Sequence, residues 1–415
     1  MPIDFTPTAE QSALRQSARH FAQQVLAEVA PATRHLATPE ARFAATRPMY
    51  EQLIEAGFLR RIIPAPFGGE GSGVLDMAIL AEEFYAVDVN VPLTMFATLL
   101  GLFPLMLAGT ADQHKRYFAP FLARSGAPLA ALANTEPGGS ANFSAPAPGA
   151  GVRTTALVDG NEWVINGTKK WVSSATGWDG KGADLLCVVC RSDADADPDQ
   201  SISILVVEKP PRGIVPDGCT ESMGHRAHYT PQFRLDNVRV PLDSVVGNVG
   251  GGKDLVEASF SGTAALVGIM SVGVMRAAFD FALHFARSEK RAGTVNIIEH
   301  QAVGYALADA KMAIEACRAL SLRACSAIDA SEPGALELAL HAKVFCSETA
   351  VRVITDLMRV VGIDSYDHAL PLAGLLQDAL AFPLFDGGNM GVRRRQLHDL
   401  LRAPSYDPLT ASASR

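Results

Sequence analysis

The sequence predicts a mainly α-helical protein with a central β-domain, divided at residues 1–127, 128–249 and 250–415. Three observations carry this prediction. The 415 residues are 48% hydrophobic, which is enough for a large packed core. Apolar residues recur every three or four positions in the first and last thirds, whereas short β-branched runs fill the middle. Pro128 and the glycines at 250–252 lie where the pattern changes.

The first domain is predicted to be all helical. Leu14, Ala18 and Phe21 begin a series of apolar residues at helical spacing, and prolines and glycines between positions 64 and 73 punctuate it. Met1 to Thr6 lack the basic and apolar regions of a signal peptide. We therefore expect a cytoplasmic protein whose cysteines are reduced thiols.

The middle domain is predicted to be a β-domain because short runs rich in Val and Ile alternate with Gly, Asn, Asp and Pro. The acidic stretch 191–200 is expected to be a solvated hairpin connection. It lacks the Gly and the terminal Glu of an EF-hand loop, so a calcium site is disfavoured. The strand candidates are Trp163 to Ile165, Leu185 to Val189, Ile202 to Val207 and Phe233 to Val240.

Charge and cysteine spacing exclude several kinds of partner. The net charge is −8, and no basic run is longer than Arg393 to Arg395, which argues against nucleic acid and favours a small-molecule partner. Cys187 and Cys190 have C-x-x-C spacing, but on a strand they point to opposite faces. We interpret them as core residues and predict no metal site.

The last domain is predicted to be a bundle of four helices at about 251–289, 299–330, 335–361 and 386–402. Within the first of these, Ala258 to Met275 contains no charge over 18 residues, which is long enough to cross a membrane. Its glycines and hydroxyls suit a helix buried in a bundle better than one facing lipid. We therefore predict no membrane span.

Asp386 is the candidate catalytic residue. It follows an apolar run, precedes two glycines, and lies seven positions before Arg393. On a helix, positions seven apart share one face, so Arg393 would lie beside the carboxylate at the mouth of an apolar cavity. A proton-abstracting base needs such a setting. The competing interpretation is a helix N-cap aspartate followed by a basic helix face in water.

Two further motifs in the middle domain are candidate ligand contacts. Leu132 to Ser140 is a strand that enters a Gly-rich turn, which would expose backbone N–H groups and hydroxyls. In Asn166 to Ser173, an aromatic residue and a hydroxyl, Trp171 and Ser173, stand one residue apart, hence on one face of a strand. Either motif alone also fits an ordinary turn or a core strand.

Together with the C-terminal bundle, these motifs resemble the acyl-CoA dehydrogenase superfamily, whose T-E-P…G-S and W-x-[TS] segments hold FAD. The resemblance covers essentially the whole chain and implies an N-terminal helical domain, a middle β-barrel-like domain and a C-terminal four-helix bundle. It also implies a homotetramer, because Arg291, His300 and Gln301 would reach the FAD of a neighbouring subunit. The flavin ring would be lined by Leu132, Asn134, Thr135, Gly139, Ser140, Trp171 and Ser173, with further cofactor contacts from Met358, Gly362, Phe385 and Gly388.

The departures from that superfamily are informative. The usual glutamate base is replaced by Asp386, the alternative glutamate site holds Thr263, and the G-G-N-G pyrophosphate turn is replaced by Gly362 to Tyr366. These departures match its nitroalkane oxidase branch, which the chain also resembles from Pro383 to Gln396. That branch has a serine at the position of Thr263.

The resemblance implies an FAD-dependent oxidase that converts neutral nitroalkanes to aldehydes or ketones and uses dioxygen, with nitrite and hydrogen peroxide as products. Asp386 would remove the α-proton, held in place by Thr263 and Arg393. Two alternatives stay open at this point. One is an acyl-CoA dehydrogenase that uses Asp386 as its base and an electron-transfer flavoprotein as its acceptor, and the other is a flavin-binding protein without catalysis.

Overall fold

The computed structural model describes residues 6–146, 150–193, 196–209 and 212–411. It confirms the predicted fold class, because a curved β-sheet lies between two sets of helices. Two sequence predictions fall partly outside the described residues. They concern the first five residues of the chain and positions 194–195 of the acidic loop.

The N-terminal helices form where the apolar spacing and the capping residues predict them. Thr8 Oγ1 caps the first helix by accepting a hydrogen bond from Gln11 N at 3.1 Å, and Thr8 N donates to Gln11 Oε1 at 3.0 Å. Thr110 and Gln113 form the same capping box further on. The α-helices are α1 (Ala9–Gln24), α2 (Val29–Thr33), α3 (Pro39–Glu55), α4 (Phe58–Ile62), α5 (Val74–Tyr85), α6 (Asn90–Ala108) and α7 (Ala111–Tyr117).

The described residues of the middle region form a seven-stranded sheet. Its strands are β1 (Ala130–Ala133), β2 (Thr155–Asp159), β3 (Glu162–Lys169), β4 (Leu185–Arg191), β5 (Ile202–Glu208), β6 (Ile214–Cys219) and β7 (Pro231–Pro241), with a short helix α8 (Pro198–Ser201) before β5. The strand order is β1-β4-β2-β3-β7-β6, with β5 on β4. β1 runs parallel to β4, so that Leu132 lies opposite Cys187. Gly101 of α6 packs directly on β1, since a Cβ there would lie 2.4 Å from Ala131 N.

Two predictions about this sheet are confirmed. β4 and β5 pair antiparallel, so the acidic stretch between them is a hairpin connection. Cys187 and Cys190 are buried in β4 and are free thiols, and burial raises the pKa of Cys190 to about 12. They are therefore core residues.

The C-terminal helices are α9 (Gly252–Ser288), α10 (Gln301–Asp329), α11 (Ala335–Val361), α12 (Pro371–Ala379) and α13 (Arg394–Arg402). The first three agree with the predicted ranges. The predicted fourth helix at 386–402 begins two residues later, at Gly388, and its first turn, Gly388–Arg393, is π-helical, so that only Arg394–Arg402 is α-helical. Asp386, Gly387 and Gly388 have φ values of 52°, 85° and 42°, which a right-handed helix cannot accommodate.

Helix α9 is the centre of the helical packing, because it contacts α10 and α11 of the bundle and α5 and α6 of the N-terminal part. By length and composition, α6 and α9 could each cross a membrane, but 67% of the apolar window of each is buried inside the fold. Gly273 lets α9 approach α5 closely, because a Cβ there would lie 2.8 Å from Tyr85 Cβ. This burial is what a core helix requires.

Candidate active site

Asp386 lies on a tight loop between α12 and the π-helical turn. Asn389 N donates to Pro383 O at 2.8 Å and closes this loop. The left-handed conformation of Asp386 turns the chain back on itself, which a following pair of glycines tolerates. The carboxylate is 7% exposed and is therefore held inside the protein.

Both carboxylate oxygens of Asp386 accept a hydrogen bond. Thr263 Oγ1 of α9 donates to Oδ1 at 2.9 Å, and Arg393 Nη2 donates to Oδ2 at 3.0 Å. The structure thus brings together the three residues that the sequence predicts to be catalytic. Because each oxygen has one fixed partner, the orientation of the carboxylate is determined.

Arg393 is fully buried, so the interpretation that places it on a water-facing helix surface is wrong. Its Nε donates to Asp386 O at 2.9 Å, Nη2 also donates to Phe260 O at 2.9 Å, and Nη1 donates to Gln396 Oε1 at 3.1 Å. The contact between Arg393 and Asp386 was predicted from a shared helix face, and that reason is also wrong. Arg393 reaches Asp386 because the left-handed loop folds over the π-helical turn. Among the described residues, Asp386 makes no N-cap hydrogen bond.

Lys343 of α11 supports the same loop and was not predicted. Its Nζ donates to Phe382 O at 2.5 Å and to Asn389 Oδ1 at 3.2 Å. Burial lowers the pKa of Lys343 to about 8, while the nearby charge of Asp386 acts in the opposite direction. A sequence signal was present, because Ala339, Lys343 and Cys346 share the apolar stripe of α11, where a lysine is out of place.

The first ligand motif lies at the end of β1. Leu132 and Asn134 are buried, Thr135 and Ser140 are half-buried, and Gly139 is exposed with φ 88°. The side-chain oxygen of Asn134 is buried and has no hydrogen-bond partner among the described residues. This orphaned acceptor points to a ligand that donates to it.

The same turn is anchored by a buried ion pair. Lys169 Nζ lies 2.9 Å from Glu136 Oε1 and also donates to Asn134 O at 3.2 Å. Thr154 N and Oγ1 donate to the same Glu136 oxygen at 2.9 and 2.6 Å. Glu136 is therefore a structural residue that fixes the turn.

The second ligand motif is a loop, and the prediction that Trp171 and Ser173 share a strand face is wrong. β3 ends at Lys169, and Trp171 has φ 61°, so the chain leaves the sheet before the indole. Lys170 N donates to Thr135 O at 2.9 Å, which joins this loop to the first motif. The indole is 47% exposed, whereas Ser173 is half-buried.

The remaining predicted cofactor residues lie in the helical bundle. Arg291 Nη1 contacts Asp364 Oδ2 at 2.8 Å, and a Cβ on Gly362 would lie 3.5 Å from Arg291 Nη2, so these two predicted residues are neighbours. Met358 is half-buried in α11, and His300 and Gln301 are exposed at the start of α10. Phe385 is half-buried with Lys343 Nζ 5.8 Å from its ring, and Gly388 begins the π-helical turn.

The two motifs of the middle domain fit a flat heterocycle with polar edges. They offer the orphaned Asn134 oxygen, the partly exposed indole of Trp171, and a glycine turn where no described atom lies within 4 Å of a Cβ built on Gly138 or Gly139. A flavin ring has these properties, with an apolar face and hydrogen-bonding atoms along its edges. Among the described residues there is no group of three or more His, Cys, Asp or Glu side chains that could hold a metal ion.

Comparison with family models agrees with this architecture. The chain matches the models of the acyl-CoA dehydrogenase N-terminal domain at residues 8–125, its middle domain at 131–238 and its C-terminal domain at 250–401. The fold and the matches define the class of protein, which is a flavin-dependent oxidoreductase with the acyl-CoA dehydrogenase fold.

Relatives narrow the class further. Nitroalkane oxidase of Podospora anserina is 43% identical over 98% of both chains, and nitroalkane oxidase of Fusarium oxysporum is 36% identical over 99% of this chain and 97% of the relative. An active-site variant of nitroalkane oxidase crystallised with 1-nitrohexane superposes with a TM-score of 0.95 at 35% identity, and each chain is covered completely. The chain belongs to the nitroalkane oxidase family within the acyl-CoA dehydrogenase superfamily.

Proposed function

We propose that the protein is an FAD-dependent oxidase that converts neutral nitroalkanes to aldehydes or ketones, with Asp386 as the base. The observation that carries this proposal is a buried carboxylate held by Thr263 at one oxygen and Arg393 at the other. For a primary nitroalkane the balanced reaction is RCH2NO2 + O2 + H2O → RCHO + HNO2 + H2O2.

Relatives support the substrate class. Nitroalkane oxidase variants have been crystallised with 1-nitrohexane and 1-nitrooctane. An aspartate and an arginine with roles in the reaction of that flavoprotein stand seven positions apart, which is the spacing of Asp386 and Arg393. The relative has a serine as an active-site residue, and the resemblance places Thr263 at that position, so a hydroxyl is retained there.

The proposed role of Asp386 is to remove the α-proton of the nitroalkane. A carboxylate oxygen has two lone pairs, and each oxygen of Asp386 uses one of them for its fixed hydrogen bond. The other lone pair of one oxygen is left to accept the proton. An aspartate is one methylene shorter than a glutamate, so the base is about 1.5 Å less extended, a difference that matters for near-attack geometry.

FAD would supply the redox chemistry by accepting two electrons from the deprotonated substrate and passing them to dioxygen. Leu132, Asn134, Thr135, Trp171 and Ser173 would line its ring, with Gly139 and Ser140 in the adjoining turn. Met358, Gly362, Phe385 and Gly388 would contribute from the bundle. The orphaned oxygen of Asn134 is the observation that favours a polar ring edge at this place.

We also propose a cytoplasmic homotetramer in which Arg291, His300 and Gln301 approach the FAD of a neighbouring subunit. Exposed apolar side chains on the bundle support an assembly, because a monomer would leave them in water. Six cysteines that are all free thiols agree with a reducing compartment. The apolar side chains are Tyr305, Met312, Phe345, Ile363 and Tyr366, which are 48 to 81% exposed.

The decisive test replaces Asp386 by Asn, which preserves shape and removes basicity. We expect Asp386→Asn to retain FAD and to lose flavin reduction by a neutral nitroalkane, measured by anaerobic stopped-flow absorbance. A nitronate prepared in advance has already lost its proton, so the variant should still oxidise that anion. Asp378→Asn is a matched control, because it removes another carboxylate that is largely enclosed, with 22% of the side chain exposed, and that lies eight residues earlier. It should reduce flavin with both forms.

Equal losses on the neutral and anionic forms would mean that Asp386 only supports the structure or the flavin. Full activity of Asp386→Asn on the neutral form would end the proposal that it is the base.

The second candidate is an acyl-CoA dehydrogenase with an electron-transfer flavoprotein as acceptor, favoured by the 28% identity over 95% of the chain to a probable acyl-CoA dehydrogenase of Mycobacterium bovis. This second candidate would be supported if the enzyme reduced a dye with acyl-CoA esters as substrates and consumed no oxygen with nitroethane as substrate.

A further inference from the structure

A buried histidine lies directly behind the Ser173 hydroxyl. His228 is in the loop between β6 and β7 and is only 6% exposed. Its Nε2 is 2.9 Å from Ser173 Oγ, and its Nδ1 is 3.2 Å from Thr94 Oγ1 of α6. The ring therefore joins the N-terminal helices to the loop that carries two of the predicted flavin contacts.

The direction of these hydrogen bonds follows from Thr94. Thr94 Oγ1 also lies 3.1 Å from Asn90 O, and a carbonyl oxygen can only accept. The single hydrogen of Thr94 is thus directed to that carbonyl, so His228 Nδ1 must carry the hydrogen that joins it to Thr94. Only this tautomer satisfies all the contacts.

The ring is neutral under ordinary conditions. The pKa of His228 is lowered to about 3, mainly by burial and also by the neighbouring His225. A backbone contact to Asn90 acts in the other direction. A neutral imidazole with its hydrogen on Nδ1 has only a lone pair at Nε2. His228 Nε2 consequently accepts the hydrogen of Ser173, which leaves that hydroxyl with lone pairs alone for any other partner.

We propose that His228 is a positioning residue that makes Ser173 a hydrogen-bond acceptor toward the flavin ring and so favours the reduced flavin. In an oxidised flavin, N5 of the middle ring has a lone pair and no hydrogen. Reduction by two electrons adds a hydrogen at N5. A hydroxyl that can only accept interacts well with an N–H and poorly with a lone pair. This inference rests on the proposed function only in requiring that the flavin lies against Ser173.

The surrounding loops are held independently of the His228 ring. Ser174 N donates to Tyr229 O at 2.8 Å, and Ala227 N donates to Asn90 Oδ1 at 3.0 Å. These bonds are made by the residue that follows Ser173 and by the residues on either side of His228. Replacing the imidazole should therefore leave the loops in place and change the freedom of the Ser173 hydroxyl.

The test is a spectroelectrochemical titration of the holoenzyme. In His228→Leu the Ser173 hydroxyl can rotate and donate to the oxidised ring. The preference for reduced over oxidised flavin should therefore fall about tenfold, which lowers the flavin reduction potential by about 30 mV for a two-electron couple. His228→Gln should restore most of the potential, because its amide oxygen can accept the Ser173 hydrogen. In a Ser173→Ala background, His228→Leu should have no further effect.

Ser173→Ala alone supplies a second measurement that leaves His228 intact. If the Ser173 hydroxyl accepts from the reduced ring, its loss should lower the flavin reduction potential. If it donated to the oxidised ring, its loss would raise that potential. A raised or unchanged potential in Ser173→Ala would overturn the inference, as would a His228→Leu shift that persists without the Ser173 hydroxyl. The titration uses dithionite rather than a nitroalkane, so it reads out the flavin even if the proposed substrate is wrong.

Discussion

Replacing Arg393 by Lys should separate positioning from charge at the candidate active site. Three guanidinium nitrogens of Arg393 donate to four acceptors on Asp386, Phe260 and Gln396. A lysine ammonium placed near Nη2 could keep the contacts to Asp386 Oδ2 and Phe260 O. It would lose the bonds to Asp386 O and Gln396 Oε1, since one nitrogen cannot span the width of a guanidinium.

The magnitude follows from those two lost bonds. A hydrogen bond from a charged donor contributes about 1.5 to 3 kcal/mol, so the loss is roughly 3 to 6 kcal/mol in free energy of unfolding before the loop relaxes. The effect on chemistry should be smaller, because the carboxylate contact survives. We expect flavin reduction by a neutral nitroalkane to slow by about 10- to 1000-fold, equivalent to about 1.4 to 4 kcal/mol of barrier.

Arg394→Lys is the matched control, because Arg394 is the next residue and makes two hydrogen bonds, at 2.6 and 2.8 Å, to Glu348. That pair is 42% and 44% exposed, so its loss should cost no more than about 1 kcal/mol. Urea denaturation of the holoenzymes measures stability, and anaerobic stopped-flow absorbance measures flavin reduction. If Arg393→Lys matched Arg394→Lys in both measurements, the buried network would have no role in holding Asp386.

Three other outcomes can be measured. Burial raises the pKa of Asp378 to about 7, and the nearby charge of Asp88 adds to the rise. Protonated Asp378 therefore contributes to the stability of the fold below about pH 4, and this contribution is lost as the pH rises through 7. Asp378→Asn should therefore gain stability relative to the wild type between pH 4 and 7, and a constant difference would contradict this. Cys187 and Cys190 should not react with a thiol reagent until the protein unfolds, because both are buried; rapid labelling of the native protein at either would be the contrary result. Sedimentation should detect a tetramer that loses FAD on dissociation, and a stable FAD-bound monomer would refute that assembly.

Much of the fold follows from periodicity in the sequence. The three long helices α9, α10 and α11 were predicted to within two residues because their apolar stripes are long and regular. β2 and β6 were missed for a physical reason. They are short and partly exposed, and β6 contains Pro216 and Gly218, so neither shows a clear alternation of apolar and polar residues.

The candidate site was predictable in its residue types but not in its geometry. Asp386 and Arg393 were paired on the assumption of one continuous helix, whereas the contact depends on a left-handed loop that periodicity does not describe. Lys343 and His228 were missed because their partners are distant in the sequence. A buried polar side chain is recognised by what it bonds to, and those contacts exist only once the chain is folded.

The π-helical turn Gly388–Arg393 also affects how this part of the chain can change during evolution. A π-helical turn holds about one residue more than an α-helical turn, and one residue corresponds to about 100° of rotation around a helix axis. Deleting a single residue here would allow an ordinary α-helical turn but would swing the Arg393 guanidinium about a quarter of a circle away from Asp386. Helix α13 keeps its own register, in which Arg394 bonds Glu348 and Arg395 bonds Asn142. The surface of α13 can therefore diverge while the extra residue keeps the guanidinium aimed at the base.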